Sequence, residues 1–93
     1  MKIGICLPTE TEAMNGGTAG GPEILRLARL AEDSGFDSVW VVDHFCYLAA
    51  AEMEALGATA PPDLVGKITG AWECLMLCAA LARETRRVEI GTL

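Results

Sequence analysis

The chain has 93 residues, enough for one small domain, which at this size buries only roughly 60–65% of the surface its unfolded form exposes. Hydrophobic residues make up 52% of it, which is rich for so short a chain and implies apolar faces that expect more neighbours than the chain supplies. A net charge of −6 argues against nucleic acid or an anionic membrane surface as a partner, because both need clustered Lys and Arg.

Lys2 to Leu7 reads as a first strand, stopped by Pro8, with Gly4 marking a close backbone approach. Thr9 to Gly21 is a loop. Its Gly16-Gly17-Thr18-Ala19-Gly20-Gly21 stretch lacks both the GxGxxG spacing and the Lys-Ser/Thr of a phosphate cradle, so it reads as a loop on the ligand side rather than a nucleotide fingerprint. A helix then starts at Pro22, with Glu23 at the positive end of its dipole. Ile24, Leu27, Ala28 and Ala31 give it one apolar stripe, and Gly35 supplies a left-handed cap.

Val39 to Val42 is an unbroken apolar run, the pattern of a parallel strand buried on both faces. It ends in Asp43 and His44, the single imidazole of the chain. Strand, helix and strand with a short return form a βαβ unit, so the first two strands are expected to be parallel neighbours. From Cys46 to Gly70 the chain spends about 25 residues on one connection, well beyond the usual loop length. Tyr47 to Leu56 suits a short helix ended by Gly57. Ala60-Pro61-Pro62-Asp63 and the glycines at 57, 66 and 70 predict no regular element after it. This insertion leaves from the strand end that carries Asp43 and His44 and is expected to cover it.

A second helix is predicted from about Trp72 to Thr85, with Ala71, Cys74, Leu75, Cys78 and Ala82 on one face and Leu77 and Leu81 widening it. Glu73 reads as a first-turn acid, and Arg83, Arg86 and Arg87 crowd the carboxyl end. Arg87 to Leu93 is the third strand. The fold class is therefore α/β, β-α-β-α-β with parallel strands. Two open sheet edges and a bare apolar face point to a fragment or an obligate partner.

The chemistry gathers where the strands end. Leu7-Pro8-Thr9, Asp43-His44-Phe45 and Gly91-Thr92-Leu93 line one cleft if the strands are adjacent, since neighbours lie about 4.8 Å apart. An imidazole there can act as general acid, general base or hydrogen-bond donor to an anionic centre, and a structural histidine at a strand terminus is the alternative. Adjacency does not imply an Asp43–His44 bond, because successive strand residues point to opposite faces. Cys6, Cys46, Cys74 and Cys78 form no CxxC pair and read as buried small hydrophobes. Cys74 and Cys78 share a helical face, but the ligands for a metal site are missing, and none is expected. No thiolate approach is established for Cys46 near His44. With no signal-peptide core before Pro8 and no apolar run long enough to cross a bilayer, a cytoplasmic protein is expected.

The run Ile24 to Phe45, with Gly35-Phe36-Asp37-Ser38-Val39-Trp40-Val41-Val42-Asp43-His44 at its centre, then Trp72-Glu73 and Ala79 to Thr92, resembles the opening of the bacterial luciferase-like flavin-dependent oxidoreductases and monooxygenases. The resemblance implies the first three of eight strands of a TIM (β/α)8 barrel over residues 1–93, incomplete by itself. It implies FMN or the 5-deazaflavin coenzyme at the carboxyl ends of the strands, with His44 and Asp43 facing the ring and a small-molecule substrate. Gly91, Thr92 and Leu93 border the ring in that picture. In such barrels the loops after strands seven and eight anchor the cofactor phosphate, so that anchor is absent from these residues. Two functions are carried forward: part of a flavin- or deazaflavin-dependent oxidoreductase, inactive alone, or a non-catalytic barrel remnant. The remnant would associate through its sheet edges, as a homo-oligomer or with the remainder of a barrel.

Overall fold

The computed structural model describes residues 1–11, 17–44 and 46–93, with the backbone alone for residues 46–49, 52 and 64. Gly16 of the glycine-rich stretch and Phe45 of the second strand end lie outside the described residues, as does the Cys46 side chain. The elements are β1 (Gly4–Cys6), α1 (Gly21–Asp33), β2 (Ser38–Val41), β3 (Cys46–Leu48), α2 (Ala49–Ala55), a 3-10 turn (Pro62–Leu64), β4 (Ile68–Gly70), α3 (Cys74–Glu84) and β5 (Glu89–Thr92).

Three of the strands form one parallel sheet in the order β1-β2-β5. Ile5, Val39 and Ile90 stand in register, as do Cys6, Trp40 and Gly91. Successive residues alternate faces, so Val39 and Val41 turn to the helices and are fully buried there, while Ser38 and Trp40 occupy the opposite face. The expectation of a strand buried on both faces is thus met on the helix side; on the other, Ser38 is buried but Trp40 is only half-buried, because no further layer covers its ring.

That ring explains two glycines. A Cβ on Gly4 would clash first with Ser38 Oγ and come within 2.7 Å of Trp40 Nε1, and one on Gly91 would overlap the six-membered ring of the same indole. The indole lies across the strands on either side, and its Nε1–H donates to Ser38 Oγ at 2.9 Å. Only residues without a Cβ leave room for it.

Helix α1 buries Ile24, Ala28 and Ala31, the predicted stripe, and Leu27 packs against the core. It ends in a Schellman motif: Gly35, at φ +91°, donates to Glu32 O, and Phe36 N–H reaches back to Ala31 O. In α3 the stripe differs from the prediction. Cys74, Leu77 and Leu81 are buried, whereas Leu75 and Ala82 face solvent. The helix is apolar around most of its circumference, so periodicity alone could not say which side meets the sheet.

Glu32, on α1, is joined to the segment between α3 and β5. Its carboxylate accepts the amides of Arg86 (2.9 Å), Arg87 (2.5 Å) and Val88 (2.9 Å), which holds the carboxyl below the ordinary carboxylate value. At the same end of the sheet Asp37 takes Ile3 N–H on its side chain at 2.8 Å, and its backbone bridges Ile3 and Glu89.

The 46–70 connection is more ordered than its Pro and Gly content suggests. Strands β3 and β4 form an antiparallel pair, Cys46 opposite Gly70 and Leu48 opposite Ile68, around α2 and the 3-10 turn. Pro62 sits at a first-turn position, where its missing N–H costs nothing, and Gly70 ends its strand rather than interrupting it. The pair is tied to the end of β1 by a Glu10–Ala71 bridge, by Thr11 N–H to Gly70 O and by Trp72 N–H to Thr9 O.

Candidate active site

The carboxyl ends of the parallel strands are locked to one another by backbone bonds. Leu7 N–H donates to Trp40 O (2.8 Å), Leu93 N–H to Val41 O (3.0 Å) and Asp43 N–H to Leu93 O (3.0 Å). Thr9, fully buried, accepts Val42 N–H on its hydroxyl at 3.3 Å. The turn after β2 therefore leaves from a fixed platform. Asp43 and His44 stand on it, both exposed.

An open cleft of about 410 Å³ sits at this end, lined by Asp43, His44, Ala71, Glu73, Cys74 and Leu75. The sequence-predicted pair and the start of α3 thus share one concavity. Gly91 lies farther down the strand beneath Trp40, and Leu93 meets the site through its backbone bond with Asp43; Thr92, exposed, extends the same strand. None of these three belongs to the cleft lining.

Two residues of this site were not legible as such. Glu73 is the N-cap of α3, not merely a first-turn acid: its carboxylate accepts Leu75 N–H (3.3 Å) and Met76 N–H (2.7 Å), leaving its body in the cleft wall. Its position immediately before an apolar helical run was the signal. Cys74, also in the wall, has its thiol pushed up to about 11, by the Asp43 carboxylate first, then by burial and the charge of Glu73. Cys78, one turn on, is raised as well, by burial first and then by Glu73. Both thiols are therefore protonated near neutral pH. Among the described residues no group of three or more His, Cys, Asp or Glu is arranged to hold a metal ion.

A second concavity of about 320 Å³ lies on the other side of the Ala71–Glu73 ridge, lined by Thr9, Thr11, Thr18 and Trp72 as well. Trp72 braces this ridge, its indole N–H donating to Ala19 O at 3.0 Å. The first cleft combines a polar rim of carboxylates and imidazole with an apolar wall of Ala71 and Leu75. That combination suits a small ligand with both apolar and hydrogen-bonding parts. Among the described residues no Lys or Arg lines either concavity. No helix among the described residues is long and apolar enough to cross a membrane.

The family model for luciferase-like monooxygenases covers residues 1–92. No curated protein and no solved structure matches the chain.

Proposed function

The chain belongs to the luciferase-like monooxygenase family, a family of flavin-dependent oxidoreductases built on TIM barrels, and from that premise we propose that its strand-end cleft receives the ring of FMN or of the 5-deazaflavin coenzyme. The open parallel β1-β2-β5 sheet agrees with the start of such a barrel. The observation that carries the reading is the convergence of Asp43, His44, Glu73 and Cys74 on one cleft at the carboxyl ends of parallel strands, where barrel enzymes keep their active sites.

When bound, the cofactor supplies hydride transfer or oxygen activation. The chain's own groups do the rest. His44, exposed on the rim, is able to donate or accept a proton toward the ring edge or the substrate. Asp43 holds the rim negative and Ala71 and Leu75 exclude water from one face. The neighbouring concavity offers a polar wall that includes Thr11 and Thr18 to a small polar substrate.

The test is to purify the protein from its own source, identify any retained flavin by native mass spectrometry and absorbance, and titrate it with FMN and the deazaflavin. His44→Ala should weaken binding of the correct cofactor by about tenfold, the equivalent of about 1.4 kcal/mol. Unchanged affinity and unchanged turnover would remove His44 from the site.

A second reading, an interaction module joined through the β1 edge, draws on exposed Ile3, Ile5 and Leu30, the last two beside an apolar groove that also takes in Leu27 and Phe36. Concentration-dependent association with no effect of flavin on stability would favour it.

A further inference from the structure

Trp72 stands where three parts of the ligand end meet. It fills the one position between the Glu10–Ala71 bridge and Glu73, the N-cap of α3. Its main-chain N–H donates to Thr9 O at 2.9 Å, just past the end of β1, and its indole N–H donates to Ala19 O at 3.0 Å. Ala19 is buried and directly precedes Gly20, the N-cap of α1. The indole bond thus joins the residue before one helix cap to the residue before the other, across 53 positions of sequence.

The ring is 42% exposed, so it gives up much of what burial of so large an apolar surface would contribute. It stands as a partition instead, with the threonine-lined concavity on one side and an apolar groove of about 340 Å³ between α1 and α3 on the other. Ala71 and Glu73, its neighbours in sequence, line that concavity and also the cleft that holds Asp43 and His44. Planar peptide units leave only two soft torsions per residue, so a displacement of Trp72 is passed to both neighbours. We propose that Trp72 is a positioning residue: its indole N–H, held by Ala19 O, sets the ridge Ala71–Glu73 against the start of α1 and fixes the wall that the two concavities share.

The effect reaches α3 through Glu73. Its carboxylate holds the amides of Leu75 and Met76, and its carbonyl accepts Leu77 N–H, so the first turn of the helix follows the position of the cap. Main-chain bonds tie the ridge to β1, and the indole bond adds the tie to α1. That this wall serves a flavin site rests on the reading above; the positioning of the ridge does not.

The experiment is hydrogen exchange by NMR on the full chain, in wild type and in Trp72→Phe, which keeps a ring but has no donor. In wild type the Trp72 indole N–H should be protected although its ring is exposed, and should lose protection together with the Met76 amide as urea is raised. In Trp72→Phe the Met76 amide should exchange roughly tenfold faster, while the Thr85 amide, bonded to Leu81 O at the far end of α3, keeps its wild-type rate. An unprotected indole N–H, separate loss of the two protections, or an unchanged Met76 rate would each overturn the proposal. So would an equal rise at Thr85, the mark of general destabilisation. If Trp72→Phe does not fold, the two wild-type measurements decide it. FMN and deazaflavin titrations of the same two proteins separate the readings. A loss of affinity of roughly fivefold in the folded variant, the order of one net hydrogen bond, supports both. Equal affinity in the two proteins would overturn the ridge as a wall of the site, while exchange as expected with neither cofactor bound by wild type keeps the positioning and discards the flavin site.

Discussion

The β1-β2-β5 sheet with its two helices and the β3-α2-β4 insertion are built on different terms. In the sheet, Val39, Val41, Ile24 and Leu81 are fully buried, and each strand is paired with a neighbour distant in sequence. In the insertion, Leu56, Val65 and Ile68 stand exposed, Leu56 at 82%, and the short strands pair antiparallel with one another. Burial supplies the stability of the first region; hydrogen bonding of a short pair and its ties to Thr9 and Thr11 hold the second. The site lies on the seam between them, with Asp43 and His44 from the sheet and Ala71 from the end of the insertion. A well-packed platform carries Asp43 and His44, and a lightly anchored segment borders them.

The contrast is sharpest under truncation. Leu81→Ala empties a fully buried site and should cost about 2–5 kcal/mol, whereas Leu56→Ser should stay within about 0.5 kcal/mol. Urea denaturation of both variants measures the difference, and comparable losses would mean that the insertion is as much a part of the core as the sheet.

Gly91→Ala probes the other face of the sheet. Its methyl would collide with the Trp40 indole, an overpacking expected to cost about 1–3 kcal/mol. Trp40→Phe in the same chain should restore part of the loss, because the smaller ring vacates the space. If the two changes simply add in denaturant melts, the ring does not press on that glycine.

Glu32→Gln gives the smallest effect and a distinct pH signature. The amides of Val88, Arg87 and Arg86, in that order, hold the Glu32 carboxyl below its ordinary 4.5. Its contribution to stability is therefore fully present above that ordinary value and is lost as pH falls through the lowered one. The variant should melt lower than wild type at pH 7, and the gap should close in strong acid. A gap independent of pH would show that the carboxylate's charge plays no part in holding 86–88.

Much of this arrangement can be read directly along the chain. The apolar run Val39 to Val42, the α1 stripe and Gly35 specify a parallel βαβ unit, because burial periodicity and a left-handed cap are local properties of a few consecutive residues. The position of Asp43 and His44 at a strand end follows from that unit. The ordered set of motifs indicates the family, which the match over residues 1–92 bears out.

Tertiary structure alone decided the rest. Ile68-Thr69-Gly70 is too short to read as a strand and becomes one because Cys46 to Leu48 lies alongside. The buried side of α3 was undecidable in a helix apolar almost all round, and the sheet chose Cys74, Leu77 and Leu81. The same choice turned Cys74 inward and put it in the wall of the cleft that Asp43, 31 positions away, also lines, a juxtaposition that no local pattern encodes. Local sequence determines which elements form and where their charged ends fall; which side chains meet across them depends on the packing of the layers, a property of the whole chain.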